Sequence, residues 1–223
     1  MTGVAGKSPA RRILRVGLTG GIATGKSVVG GIFREMGALV LDADTLGHQL
    51  MEPGTPAYDE IRCAFGEGIV GNDGRIDRKQ LGARVFSDDH ARAELNRILH
   101  PRIMVEAERQ FARFEETDPG GIAVLQAALI AEAGAAGSFD RIVLTECEPS
   151  SRLARLMERD RIDEVEARQR IAAQADAASR RKISDVVVDT SGSLAETESR
   201  ARQAFDILRN QWEALGTSHE ETT

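Results

Sequence analysis

Residues 20–27 read Gly-Gly-Ile-Ala-Thr-Gly-Lys-Ser and match the pattern GxxxxGK[ST] at every fixed position. An apolar run at 13–19 precedes them and predicts a buried strand, and a helical pattern follows them. In this context glycines let successive backbone N–H groups converge on phosphate oxygens, while the helix N-terminus contributes its positive dipole end. The stretch therefore predicts a phosphate-binding loop between a strand and a helix.

The side chains of this loop have separate expected functions. Lys26 is expected to bridge the β and γ phosphates of a nucleotide, and the Ser27 hydroxyl to bind Mg²⁺. Val28 stands where many such loops have a second hydroxyl, so only its backbone N–H is available. The predicted nucleotide-binding positions of the loop are Gly21, Ile22, Ala23, Thr24, Gly25, Lys26, Ser27 and Val28.

Four further apolar runs, at 38–42, 121–126, 141–145 and 185–189, also predict buried strands. Because helical patterns separate the runs, we predict an α/β fold with a five-stranded, mainly parallel sheet flanked by helices. Helix start signals occur at Thr55 before Pro56, at Asp77 and at Asp163. Ser87 precedes a helical run that is expected to end at Pro101, where a second helix begins.

The strands are unevenly spaced, which predicts two helical insertions in a compact core. Insertions of this kind are where substrate-binding domains and lids usually lie. The predicted nucleotide-binding core comprises 13–44, 116–151 and 183–215, and 45–115 is the predicted acceptor-binding insertion. A lid is predicted at 152–182, and 1–12 and 216–223 are predicted to be flexible tails.

Composition excludes several classes of function. The 223 residues carry 29 Lys plus Arg against 35 Asp plus Glu, a net charge of −6, and only 4% are aromatic, which disfavours nucleic acid and anionic membranes as partners. Cys63 and Cys147 form no CxxC pair, so neither a disulfide framework nor a structural zinc site is expected. No apolar run is long enough for a signal peptide or a membrane span, and we therefore expect a cytoplasmic protein.

Two carboxylates, Asp42 and Asp44, end the second predicted strand, at the edge of the sheet where ligands of parallel sheets bind. Asp44 could accept the proton of an attacking hydroxyl in an in-line phosphoryl transfer and orient that hydroxyl. The alternative is that Asp44 caps the next helix. His48 would lie on the same helical face as Asp44, although a single histidine is more often structural.

The predicted lid is locally basic, with eight arginines and Lys182 against six acidic residues. Most of these charges are expected to form ion pairs on a solvated helix face. Arg155 and Arg159, four residues apart on one face, are our candidates for arginines that swing in to contact phosphate groups.

An ordered set of motifs resembles the dephospho-coenzyme A kinase family. The set spans residues 14 to about 194, nearly the whole predicted folded chain, in the order found in that family. It consists of VGLTGGIATGKS at 16–27, DAD at 42–44, EPGTP at 52–56, LHP at 99–101, ALIAEAG at 128–134, RLMERD at 155–160 and DTSGS at 189–193. The first motif alone indicates only a phosphate-binding loop, whereas the ordered set is specific to the family.

The resemblance implies transfer of the γ-phosphoryl group of ATP to the ribose 3′-hydroxyl of dephospho-coenzyme A, with Mg²⁺ as cofactor. Asp44, Lys26 and Arg155 would then be catalytic, and Arg159 and Gly192 would join the loop in binding ATP. Asp44, His48 and His100 would contact the acceptor. The expected partners are ATP and dephospho-coenzyme A, with no nucleic acid or membrane, and a monomer is favoured.

The sequence departs from the family pattern mainly in the third predicted strand, where Gln126, Ala128 and Ala131 replace an aspartate, a proline and a phenylalanine. Thr190 replaces an asparagine beside the expected adenine loop. Loop, base and lid arginines are kept, which favours an active enzyme. Three alternatives stay open: a GTPase-type switch, a kinase for another small acceptor such as a nucleoside monophosphate, and a catalytically silent regulatory homologue. Against the first, this sequence has no NKxD motif for guanine.

Overall fold

The computed structural model describes residues 13–128, 130, 135–174 and 177–217, with side chains at the C-terminal end described as far as residue 214. The predicted tails lie almost wholly outside these residues; residues 216 and 217 belong to the last helix. Ala131 and Glu132 of the 128–134 motif also lie outside them. The statements below concern only the described part of the chain.

A five-stranded sheet organises the described residues, as the alternation of apolar runs and helical patterns predicts. The strands are β1 (Leu14–Gly20), β2 (Leu39–Asp42), β3 (Ile122–Gln126), β4 (Arg141–Glu146) and β5 (Val186–Asp189). Their order is β2-β3-β1-β4-β5, and β1 pairs in parallel with β3 and β4, as β4 does with β5. The predicted α/β fold class is confirmed. Because parallel strands end at one edge, this order brings the loops after β1, β4 and β5 together.

Helices connect the strands in the expected alternation. They are α1 (Lys26–Glu35), α2 (Ala43–Leu50), α3 (Pro56–Phe65), α4 (Arg78–Ser87), α5 (Asp89–Thr117), α6 (Pro149–Asp160), α7 (Glu164–Ala172), α8 (Ala177–Lys182) and α9 (Leu194–Thr217). The predicted caps are confirmed: Thr55 accepts a hydrogen bond from Tyr58 N, and Asp77 and Asp163 each cap the helix that follows.

The prediction of two helices meeting at Pro101 is wrong, because α5 runs through the proline without a break. Proline removes one helical hydrogen bond. The carbonyl left without its donor is that of Arg97, four residues earlier; the next carbonyl, of Ile98, accepts a side-chain hydrogen bond from Arg102 Nη1 at 2.6 Å. Ile98 and Leu99 are also buried, so packing stabilises the helix on the N-terminal side of the proline.

The chain divides into two compact units, one formed by residues up to Val40 together with those from Phe111 onward, and one formed by Leu41–Gln110. The larger unit buries the sheet against α1 and α9, where the rings of Phe33 and Phe205 meet edge to face at 5.4 Å. The smaller unit has its own apolar core around Tyr58, Ile61 and Ile98. No helix in the described part is both long and apolar enough to span a bilayer.

Candidate active site

The loop between β1 and α1 has the backbone conformation that its sequence predicts. Gly25 caps α1 in the left-handed region, with φ 81°, and Val28 N donates to its carbonyl at 3.0 Å. A residue with a Cβ would be disfavoured there by about 1–2 kcal/mol, which explains the glycine. Ala23 also has a positive φ, 59°, although it is not a glycine. The loop thus wraps around the N-terminus of α1, where backbone N–H groups bind anions.

Lys26 lies across the loop. Its Nζ donates to the carbonyl oxygens of Gly20 at 2.8 Å and Gly21 at 2.9 Å. Ser27 and Val28 follow in the first turn of α1 and are exposed. The ammonium group and the N-terminal amides of α1 therefore lie at one end of the helix, an arrangement suited to a polyphosphate.

Buried hydroxyl groups fix the loop to the sheet, which the sequence analysis did not anticipate. Thr24 Oγ1 donates to Gly21 O at 2.8 Å and shares a second hydrogen bond with Thr145 Oγ1, also at 2.8 Å. Thr145 lies in β4, and its hydroxyl also reaches Thr19 O at 3.3 Å. A Cβ at Gly20 would collide with Thr145 Oγ1. The hydroxyls of Thr24 and Thr145 thus tie the loop to the neighbouring strand.

Two side chains from the segment between β4 and β5 hold the loop from its other side. Arg152, in the first turn of α6, donates through Nε to Ile22 O at 2.9 Å and through Nη2 to Gln174 Oε1 at 2.7 Å. Gln174 Oε1 also accepts a hydrogen bond from Ile22 N at 2.8 Å. Burial, and secondarily the charge of Arg180, lowers the pKa of Arg152 from its usual value. Arg152 lies three residues before Arg155, but no motif distinguishes it in the sequence.

The two predicted lid arginines have different environments. Arg155 Nη2 donates to Thr190 O at 2.7 Å and is 3.5 Å from Gly192 O, so the structure brings Arg155 and Gly192 together. Arg159 forms an ion pair with Asp160 at 2.7 Å, which raises the Arg159 pKa, and just over half of its side chain (56%) is exposed. Of these two arginines, Arg155 is the one that contacts the loop after β5.

Thr190, one of the departures from the family pattern, occupies a buried junction. Its side chain is 1% exposed, and its Oγ1 lies 2.9 Å from Thr24 O and 3.0 Å from Glu146 O. The same oxygen accepts a hydrogen bond from Arg155 Nη1 at 3.3 Å. Its methyl carbon would be 3.4 Å from a Cβ at Gly25. The hydroxyl therefore connects the phosphate loop with the ends of β4 and β5.

A cavity of about 490 Å³ opens in the larger unit beside the phosphate loop. Gly21 and Thr24 line it on the loop side, and the ends of β4 and β5 line it on the other side. Its basic groups are Arg152, Arg180 and Arg181, and its acidic groups are Glu146, Glu148 and Asp189. Of these, Glu146 pairs with Arg181 at 3.5 Å, and Asp189 pairs with Arg200 at 2.8 Å.

Gln126 ends β3 and lies close to α1. Its Oε1 would be 2.6 Å from a Cβ at Gly30, so the glycine at that helical position allows the amide to approach. This explains a residue that costs about 1 kcal/mol relative to alanine in a helix interior. Ala128 is half-buried, and its carbonyl oxygen is 3.4 Å from Thr19 Oγ1.

In the smaller unit, Asp42 rather than Asp44 is the cap of α2. Asp42 Oδ1 accepts a hydrogen bond from Thr45 N at 2.9 Å. Asp44 lies in the first turn of α2 with its side chain exposed, so its carboxylate is accessible to a reacting group. The alternative role of Asp44 as a helix cap is therefore wrong.

The two histidines predicted to contact an acceptor differ in environment. His48 is exposed, and its Nδ1 is 3.0 Å from Arg78 Nη1. Both residues line a cavity of about 360 Å³ within the smaller unit, with Arg75 and Glu52 paired at its edge. His100 is half-buried in α5, and burial lowers its pKa from 6.5. Arg78 is a cationic group of this cavity that sequence reasoning missed.

No group of three or more His, Cys, Asp or Glu side chains able to hold a metal is present among the described residues. A single hydroxyl at Ser27 fits a Mg²⁺ ion that takes its other ligands from phosphate oxygens and water.

Comparison with known proteins agrees with this geometry. The sequence profile of the dephospho-CoA kinase family matches residues 14–196. The dephospho-CoA kinase of Leifsonia xyli is 42% identical over 87% of this chain and 98% of its own length, and that of Moorella thermoacetica is 38% identical over 87% and 92%.

Solved structures agree with the fold. A crystal structure of a Thermus thermophilus protein has a TM-score of 0.72 and 30% identity over 86% of this chain and 96% of its own. The dephospho-CoA kinase of Campylobacter jejuni, at 21% identity, has a TM-score of 0.58 over 88% of this chain and 97% of its own, which supports the fold. On the profile match and the curated relatives, the chain belongs to the dephospho-CoA kinase family.

Proposed function

We propose that this protein transfers the γ-phosphoryl group of ATP to the ribose 3′-hydroxyl of dephospho-coenzyme A, giving coenzyme A and ADP in the last step of coenzyme A synthesis. The bond from the γ-phosphorus to the bridging oxygen breaks, a bond to the 3′-oxygen forms, and the hydroxyl proton leaves. The observation that carries the proposal is the complete phosphate loop, with Lys26 across it, in a chain of this family.

The larger unit supplies the groups for ATP. The loop amides from Gly21 to Val28 and the Lys26 ammonium would hold the phosphates, and Ser27 would bind Mg²⁺ through its hydroxyl. The metal, when bound, neutralises charge that develops on the phosphate oxygens. Arg155 of α6 lies beside Gly192 of the loop after β5, and the two would form the nucleoside side of the site. Arg159 would have to leave Asp160 to reach a phosphate.

The smaller unit supplies the groups for the acceptor. The exposed Asp44 would accept the proton of the 3′-hydroxyl as that oxygen attacks phosphorus. His48 and Arg78 line the cavity of this unit and would bind a polar or phosphate-bearing part of the acceptor, whereas His100 would contribute a neutral ring. Within this proposal, 45–115 is the acceptor-binding insertion and 152–182 the lid. We also propose that the protein is monomeric and cytoplasmic.

An acceptor panel tests the assignment directly. ADP release from MgATP is followed with dephospho-coenzyme A, AMP, CMP, shikimate or no acceptor, and coenzyme A is identified by mass spectrometry. We expect release above the no-acceptor rate only with dephospho-coenzyme A and only with Mg²⁺ present. Equal rates with AMP or CMP would refute the acceptor assignment, and no release with any acceptor would refute the activity.

A further inference from the structure

Both backbone polar groups of Ile22, inside the phosphate loop, are bound by side chains from outside the loop. Its N–H donates to Gln174 Oε1 and its carbonyl accepts from Arg152 Nε, at 2.8 and 2.9 Å. Arg152 Nη2 completes a closed set of three hydrogen bonds by donating to the same amide oxygen at 2.7 Å. We call Ile22, Arg152 and Gln174 the loop latch. None of these bonds belongs to the GxxxxGK[ST] pattern.

The loop is shaped to accept the Arg152 guanidinium. A Cβ at Gly21 would lie 2.5 Å from Arg152 Nη2 and 2.8 Å from its Cζ, so only a glycine leaves the guanidinium in place. On the other side of Ile22, Ala23 has φ 59°, a conformation that persists only where surrounding contacts hold it. The latch therefore acts next to a residue whose backbone conformation is disfavoured.

The charge of Arg152 is not neutralised by a carboxylate. Its hydrogen bonds go to a backbone carbonyl and a side-chain amide, and within the described residues it forms no ion pair. The guanidinium faces the cavity beside Gly21 and Thr24, which Arg180 also lines. Burial and the nearby Arg180 lower its pKa, so its environment disfavours the positive charge. An anion at the loop would reverse that penalty.

We propose that Arg152, supported by Gln174, is a positioning residue for the phosphate loop: it fixes Ile22 and adds positive charge, and so tightens binding of the nucleotide's polyphosphate. The inference rests on the proposed function only in requiring that the loop bind a nucleotide. It assigns a function to two residues that lie outside the loop and that act on its backbone.

The test measures binding of MgADP, MgATP and AMP by calorimetry with no acceptor present. Arg152→Ala should raise the Kd of MgADP and MgATP about tenfold, the size expected for a lost charged hydrogen bond, and change the Kd of AMP less. Gln174→Met should raise the same Kd values about threefold. Because the two side chains act through one set of bonds, the double variant should resemble Arg152→Ala rather than show the product of the two effects.

Arg168→Ala is the matched control, since it removes one arginine from the same segment. Arg168 forms an exposed pair with Glu164 in α7, so its loss should leave the Kd values unchanged. Arg152→Lys keeps the charge and one donor and should recover part of the lost affinity. In turnover assays KM for ATP should rise more than kcat falls, with KM for the acceptor unchanged.

Several outcomes would overturn the inference. They are equal Kd values for Arg152→Ala and Arg168→Ala, equal losses for MgATP and AMP, or independent effects in the double variant. If Arg152→Ala does not fold, Arg152→Lys and Gln174→Met test the latch in its place. Wild-type Kd values for MgADP and MgATP in both variants would then refute the latch. If wild-type protein binds MgATP but phosphorylates another acceptor, the proposed function fails while these binding measurements still test the latch.

Discussion

Replacing Thr190 with valine tests whether its buried hydroxyl holds the phosphate loop to the strand ends. Valine has nearly the same shape, so the methyl contact near Gly25 is kept and only the hydroxyl is lost. The lost group lies 2.9 Å from Thr24 O and 3.0 Å from Glu146 O and accepts a hydrogen bond from Arg155. The variant therefore removes only the polar connection between the phosphate loop, the end of β4 and α6.

The expected loss of stability follows from the hydrogen-bond partners that each neighbour of Thr190 Oγ1 keeps in the variant. Glu146 O also accepts a hydrogen bond from Thr190 N at 2.8 Å, so it keeps one partner in the variant. The carbonyl of Thr24 and the guanidinium of Arg155 each lose one hydrogen bond in a buried or half-buried place. One lost hydrogen bond and one unsatisfied carbonyl cost about 2 kcal/mol together, which lowers Tm by about 4–8 °C for a unit of this size.

Thermal unfolding followed by tryptophan fluorescence measures this effect in the larger unit, because Trp212 is the only tryptophan and packs against that unit's core. Thr190→Ser is the control, since it keeps the hydroxyl and loses only a methyl group, at about 0.8 kcal/mol. We expect the valine variant to be the less stable of the two. A valine variant as stable as the wild type, or more stable than the serine variant, would refute the assigned hydrogen bonds.

Lys26→Ala should abolish turnover because it removes the ammonium group of the loop, and ADP release above about a tenth of the wild-type rate would contradict this. Asp44→Asn should lower kcat by about a thousandfold while calorimetry shows nearly unchanged ATP binding; near-normal kcat would exclude Asp44 as the base. Because burial lowers the pKa of His100 below 6.5, the unfolded chain binds that proton more readily, and Tm should fall as pH decreases below about 6.5. His100→Gln should flatten this decline, and the same decline in both proteins would refute the assignment.

Much of the fold could be predicted from the sequence because its signals are local. Apolar runs separated by helical patterns predict both ends of each of the five strands to within one residue. Thr55, Asp77 and Asp163 cap helices as their spacing indicates. The exception is Pro101, which α5 passes through. There, burial of Ile98 and Leu99 outweighs the local preference of proline to end a helix.

Part of the candidate site could likewise be predicted from local sequence, and part could not. Residues 20–27 determine the phosphate loop by themselves, because glycine conformations, the lysine and the helix start are encoded within eight consecutive positions. The resemblance to the family predicts that Arg155 and Gly192 both belong to the nucleotide site, and the structure shows that they are neighbours. It does not indicate which arginine contacts the loop, because every arginine of α6 has the same local signal.

What the sequence by itself determined is the α/β core, the phosphate loop and membership of a kinase family. Only the tertiary structure decided that Arg152 binds Ile22, 130 positions earlier, and that Thr190 reaches Thr24, 166 positions earlier. Such bonds depend on where parallel strands end in space and on which buried polar groups need a partner. No periodicity or short motif encodes them, because both conditions are met only when the sheet has formed.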